Sequence, residues 1–125
     1  MQLSEQWVLV TGGARGLGQA ITRALAREGA GVVINYHRSA AAAQALAEEL
    51  GPRAIALQAD VTDAAAVQRL FAVAQERTGG RISAVVNNAL AQFSFDGDAR
   101  PKLGDIAWER FSQQIEGAVK GALNT

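Results

Sequence analysis

The chain of 125 residues is 49% hydrophobic and 19% charged, which is enough apolar material for one core, and a single domain over 1–125 is expected. Twelve basic side chains balance twelve acidic ones, so no electrostatic footprint points to nucleic acid or an anionic membrane as a partner. The absence of cysteine removes disulfides, thiolate metal sites and thiol nucleophiles. With a polar start at Gln2, Ser4, Glu5 and Gln6 and no apolar window of spanning length, the chain reads as soluble and cytoplasmic, without a metal centre.

In chain order, 7–10 is a short apolar run closed by Thr11-Gly12-Gly13, which predicts a buried strand and a turn. From Gly16, the positions Leu17, Ala20, Ile21, Ala24 and Leu25 recur at helical spacing, and Gly29 with Gly31 marks the helix end. A β-branched run at 32–34 predicts a second strand, and the alanine-rich 40–50, stopped by Gly51-Pro52, a second helix. A third strand is expected at 54–57. Asp63 then caps a third helix with Val67, Leu70, Phe71 and Ala74 on one face, ended before Gly79-Gly80. A fourth strand follows at 82–86. Residues 89–104 lack periodicity and predict a long loop; Trp108, Phe111, Ile115, Ala118 and Ala122 predict a last helix over 105–125. Strands alternating with helices imply right-handed crossovers, hence an α/β fold with a doubly wound parallel sheet and helices on both faces.

The segment Thr11-Gly12-Gly13-Ala14-Arg15-Gly16-Leu17-Gly18 sits where the first strand turns into the first helix. A turn there aims backbone N–H groups and the positive helix end at one point, and glycines permit the close approach that a pyrophosphate needs. The same glycines also suit a tight turn with no ligand. A nucleoside-triphosphate loop would place Lys and Ser or Thr after Gly18, where Gln19 and Ala20 stand, and the G-x-G-x-x-G spacing would place Gly or Ala at Ile21.

The remaining pattern, T-G-x-x-x-G-x-G, resembles the nucleotide-binding motif of the short-chain dehydrogenase/reductase family. Asp60-Val61 resembles that family's adenine-contacting Asp-Val pair, and Asn87-Asn88-Ala89 its Asn-Asn-Ala-Gly motif, in the same order and spacing. Read alone, Asp60 is equally a turn or cap residue, and Asn87 and Asn88 are equally loop formers. The resemblance implies a Rossmann-like fold, stopping before a fifth strand. It further implies a dinucleotide held by Gly12, Gly13, Ala14, Arg15, Gly16, Leu17, Gly18, Asn35, Tyr36, Arg38, Asp60, Val61, Asn88 and Ala89. At the end of the second strand, where an NAD enzyme usually places Asp or Glu, this chain has Asn35-Tyr36-His37-Arg38. No carboxylate there repels a 2′-phosphate, and Arg38 with Arg15 is placed to grip one bidentately, so NADP(H) is the expected cofactor. His37, the single histidine, reads as a solvated loop residue or an adenosine neighbour.

The family's catalytic tyrosine, with a lysine four residues on, has no counterpart: the one tyrosine is Tyr36, and Ala40 follows it by four. Leu90 replaces the last glycine of Asn-Asn-Ala-Gly, and Ala118 falls where the resemblance places an active-site Asn, with Asn124 out of register. Two readings follow. The first is the N-terminal part of an NADP-dependent reductase of ketones, most like the 3-oxoacyl-carrier-protein reductase branch, inactive alone and a homo-oligomer in full-length form. The second is a dinucleotide-holding or interaction module without chemistry.

Overall fold

A computed structural model describes residues 2–80, 82–90, 97–98 and 101–125. Four strands, β1 Trp7–Val10, β2 Gly31–Tyr36, β3 Ala54–Gln58 and β4 Ile82–Val86, form one parallel sheet in the order β3-β2-β1-β4. Helices α1 Gly16–Arg27, α2 Ala40–Leu50 and α3 Ala64–Thr78 connect them in turn. The expected doubly wound arrangement is therefore present.

Alternation along the strands decides which helix covers which face. Val8 and Val10 pack with Ile21 and Leu25 of α1, and Val32 and Ile34 with Ala43 and Leu46 of α2. Leu9 and Val33 point the opposite way, into a cluster with Leu70 and Ala74 of α3. Both sheet faces are thus covered, which is why β1 and β2 carry nearly unbroken apolar runs. Asp63 caps α3 as expected, its carboxylate accepting from the N–H groups of Ala65 and Ala66 at 2.9 and 3.1 Å.

Three expectations are corrected. Gly31 does not end α1; it opens β2, paired with Trp7, and β2 and β3 run further, to Tyr36 and Gln58. The apolar stripe of α1 turns: Leu17 is 71% exposed, while Gly18 and Thr22 are buried. The hydroxyl of Thr22 is satisfied by donating to the carbonyls of Gly18 and Gly13, so a threonine occupies a core position that composition alone assigns to an apolar residue. The last helix starts at Trp108, where its apolar periodicity begins; Leu103–Asp105 forms a separate 3-10 turn.

That last helix is interrupted. Regular α4 spans Trp108–Ile115, a π-helical turn spans Glu116–Lys120, and α5 spans Gly121–Asn124. The wider turn keeps Gly117 and Gly121, four apart, both buried, and Gly121 lies against Val61. Of the expected loop 89–104, residues 91–96 and 99–100 lie outside the described residues.

Candidate functional site

All connections after β1, β2 and β3, and the segment after β4, open at the carboxyl edge of the sheet, on either side of the point where strand order reverses. A cleft of about 690 Å³ lies there, lined from all four strand ends and from the last helix.

Its floor is the loop between β1 and α1. Gly16 takes a φ of +55°, a conformation that glycine adopts without strain, and Arg15 caps α1 without any side-chain capping bond. Among the described residues, the first turn of α1 therefore has no capping side chain at the helix's positive end. Gly18 stands so close to the loop that a Cβ would meet the Gly12 carbonyl oxygen at 2.1 Å.

The side chains of Thr11, Asn35 and Asn88 hold this loop in place. Asn35 is 2% exposed. Its Oδ1 accepts from the Gly12 N–H at 3.3 Å and its Nδ2 donates to the Ala59 carbonyl at 3.1 Å, while its own carbonyl accepts from the Gly13 N–H. Asn35, itself in β2, is thus a pin joining the loop to the segment that follows β3. Thr11 and Asn88 form a second tie: Thr11 Oγ1 accepts from the N–H groups of Asn88 and Ala89 at 2.9 and 3.0 Å, and Asn88 Nδ2 donates to the carbonyls of Thr11 and Gly12 at 3.0 and 3.2 Å.

Of the fourteen residues assigned from sequence, Gly12, Ala14, Arg15, Leu17, Gly18, Asn35, Tyr36, Arg38, Asp60, Val61, Asn88 and Ala89 line the cleft. Gly13 and Gly16 do not line it. Gly13 is buried between Val10 and Thr22, and Gly16 shapes the turn from outside. Asp60 closes a turn, one of the two roles expected of it, and also lines the cleft. Its Oδ1 accepts from the N–H and hydroxyl of Thr62 at 2.9 and 2.7 Å, closing a turn, while Oδ2 lies 3.8 Å from His37 Nε2 in the cleft. The Thr62 hydroxyl and amide, with smaller help from the charges of His37 and Arg38 and against the cost of burial, hold its carboxyl below the ordinary aspartate range. Sequence reasoning missed Gln113, Glu116 and Gly117, which bring the last helix to the cleft. The glycine pair at 117 and 121 was the available signal. Asn124, out of register for an active-site role, donates instead to the Val61 carbonyl at 2.8 Å, and Thr125 donates to Asn87. Leu90 lines the cleft, 57% exposed.

Among the described residues, no three His, Cys, Asp or Glu stand close enough to hold a metal, and no helix is long and apolar enough to cross a membrane.

Compared with known proteins, residues 6–125 match the family model of the short chain dehydrogenase. The chain belongs to the short-chain dehydrogenase family. It is 39% identical over 122 residues to short chain dehydrogenase/reductase AacuN of Aspergillus aculeatus, covering 95% of this chain and 44% of that protein. A sorbitol dehydrogenase of Cereibacter sphaeroides is 45% identical over 89 residues, 71% of this chain and 34% of its own length. Among solved structures, a short chain dehydrogenase from Burkholderia cenocepacia in complex with NADP superimposes with a TM-score of 0.80 at 36% identity, over 99% of this chain and 49% of that one. The chain therefore spans between about a third and a half of the length of the relatives it matches.

Proposed function

We propose that the cleft binds NADP(H) and that this segment is the cofactor-holding part of a reductase acting on a ketone, of the 3-oxoacyl-thioester kind. The observation that carries the reading is the pairing of Arg15 and Arg38 on one cleft whose adjoining strand end, Asn35-Tyr36, offers no carboxylate. The residues fit the group. The uncapped first turn of α1 and the Gly12–Gly18 approach suit a pyrophosphate, and two arginines suit a 2′-phosphate. The NADP complex of the Burkholderia cenocepacia relative supports the same choice. When bound, NADPH supplies a hydride to a carbonyl carbon; this chain's part is to fix the dinucleotide's ends and exclude water around them.

The test compares NADPH and NADH binding to the wild type and to Arg38→Ala at fixed salt. A charge-assisted bond to phosphate is worth about 1.5–3 kcal/mol, so NADPH should weaken roughly ten- to a hundredfold and NADH should hardly change. Equal weakening of both would show that Arg38 serves the fold or the shared pyrophosphate. Asn35→Asp is not a clean companion test, because the new carboxylate would face the Ala59 carbonyl that the amide now satisfies.

A further inference from the structure

We infer that Leu17 and Leu90 form an apolar jaw for the nicotinamide ring, so that this cleft holds the reduced, uncharged ring more tightly than the oxidised, cationic one. The inference rests on the NADP(H) reading above. Among the described residues ahead of the last helix, the exposed large apolar side chains are Leu3, Leu17, Val73 and Leu90, and of these Leu17 and Leu90 line the cleft. A chain that hides Leu9, Val33, Ile34 and Leu46 in its core thus leaves two leucines in water on a concave surface that a ligand would fill.

Topology sets which half of the dinucleotide they meet. The pyrophosphate belongs at the first turn of α1, and the ribose that carries the 2′-phosphate belongs beside Arg38 after β2. The second nucleoside therefore extends past the reversal of strand order, to the end of β4. Leu90 follows β4. Leu17 precedes Gly18, which faces that same segment: a Cβ on Gly18 would meet Asn88 Nδ2 at 2.6 Å, and one on Gly12 would meet the Ala89 Cα at 3.1 Å. The bonds from the Asn88 and Ala89 N–H groups to Thr11 Oγ1 fix the backbone that leads into Leu90. Leu90 stands where the family resemblance places a glycine, so its side chain adds apolar surface that a glycine there would lack. Among the described residues, the acidic side chains of the cleft come from elsewhere, Asp60 after β3 and Glu116 on the last helix. An apolar surface laid against a ring stabilises a neutral ring and penalises a cationic one, which loses water on that face without gaining a counter-charge.

The experiment measures binding by calorimetry, at fixed salt and pH, to the 125-residue chain as wild type, Leu90→Gly, Leu90→Asn and Leu90→Met. The ligands are NADPH, NADP+ and adenosine 2′,5′-bisphosphate, which lacks the nicotinamide half. The wild type should bind NADPH roughly three- to tenfold more tightly than NADP+. Leu90→Gly and Leu90→Asn should weaken NADPH by roughly the same factor, weaken NADP+ by about twofold or less, and leave the bisphosphate unchanged, while Leu90→Met stays near wild type. Equal weakening of NADPH and NADP+, equal weakening of all three ligands, or tighter NADPH binding by Leu90→Gly overturns the inference. A loss in Leu90→Gly that is absent from Leu90→Asn assigns the effect to backbone freedom and also overturns it. If the bisphosphate binds more tightly than adenosine 5′-diphosphate while Leu90→Gly leaves NADPH unchanged, this inference alone fails. If the bisphosphate binds no more tightly than the diphosphate, the NADP(H) reading fails with it.

Discussion

Gly18 shows how little tolerance the cleft floor has. An added Cβ would lie 2.1 Å from the Gly12 carbonyl oxygen and 2.6 Å from Asn88 Nδ2, and both are held by the ties to Thr11 and Asn35. Gly18→Ala should cost about 1–3 kcal/mol of stability in urea denaturation and should weaken NADPH and NADH together, unlike Arg38→Ala. Thr62 tunes Asp60 in a way a pH series can read. Thr62→Val removes the hydroxyl donor and should move the Asp60 carboxyl up toward its ordinary range, visible in a carboxyl carbon NMR titration. The sign for stability follows from a folded-state value below the unfolded one of about 3.9: the contribution is complete above that pH and is lost as pH falls through the folded value. The wild type's advantage over Thr62→Val should therefore be full at neutral pH and vanish in acid. At this scale the motif residues were legible, because glycine and asparagine types are rare in such order. Asn35 was legible only as the absence of an acid; that its amide joins the loops after β1 and β3 depends on Ala59, a contact 24 residues away that no local pattern announces.

The last helix is the element whose reading changed most. Its apolar stripe, Trp108, Phe111 and Ile115, is 68%, 46% and 50% exposed, so of the two faces this stripe could pack against, a partner or the chain's own sheet, it does not cover the sheet. What docks it are Gly121 and Asn124 against Val61. Glycine lowers helix propensity by about 1 kcal/mol, so a scan by propensity treats such positions as weak points rather than contacts. Gly121→Val should drive a side chain into Val61 Cγ2, which an added Cβ would already meet at 2.8 Å, and cost about 1–3 kcal/mol in thermal or urea unfolding, with weaker binding of both dinucleotides. Leu123→Ser, at an 83% exposed site, is the control and should stay within about 0.5 kcal/mol. The four strands and the three connecting helices, by contrast, were readable to within a few residues. Parallel strands covered on both faces read as plain apolar runs, and glycines or an Asp cap punctuate them.

For the molecule as a whole, binding and chemistry separate. The chain's one tyrosine, Tyr36, lines the cleft at the end of β2 and is followed after four residues by Ala40, so no Tyr-x-x-x-Lys pair is present to deliver a proton to a carbonyl oxygen. The pure 125-residue chain should show no NADPH oxidation with a ketone substrate while still binding NADPH; measurable turnover would contradict this and would favour a proton donor of another kind. The tie between Thr11 and Asn88 has a further meaning, in time rather than in space. It joins residues 77 apart, so the glycine loop made first during synthesis stays unlatched until β4 has been made and has joined the sheet. On the proposed reading, a dinucleotide arriving earlier meets a loop without its clamp, and one arriving later locks β4 to β1. Cofactor supply then acts on how long the finished chain keeps its shape: at a hundredfold excess over Kd, bound dinucleotide adds about 2.7 kcal/mol against unfolding.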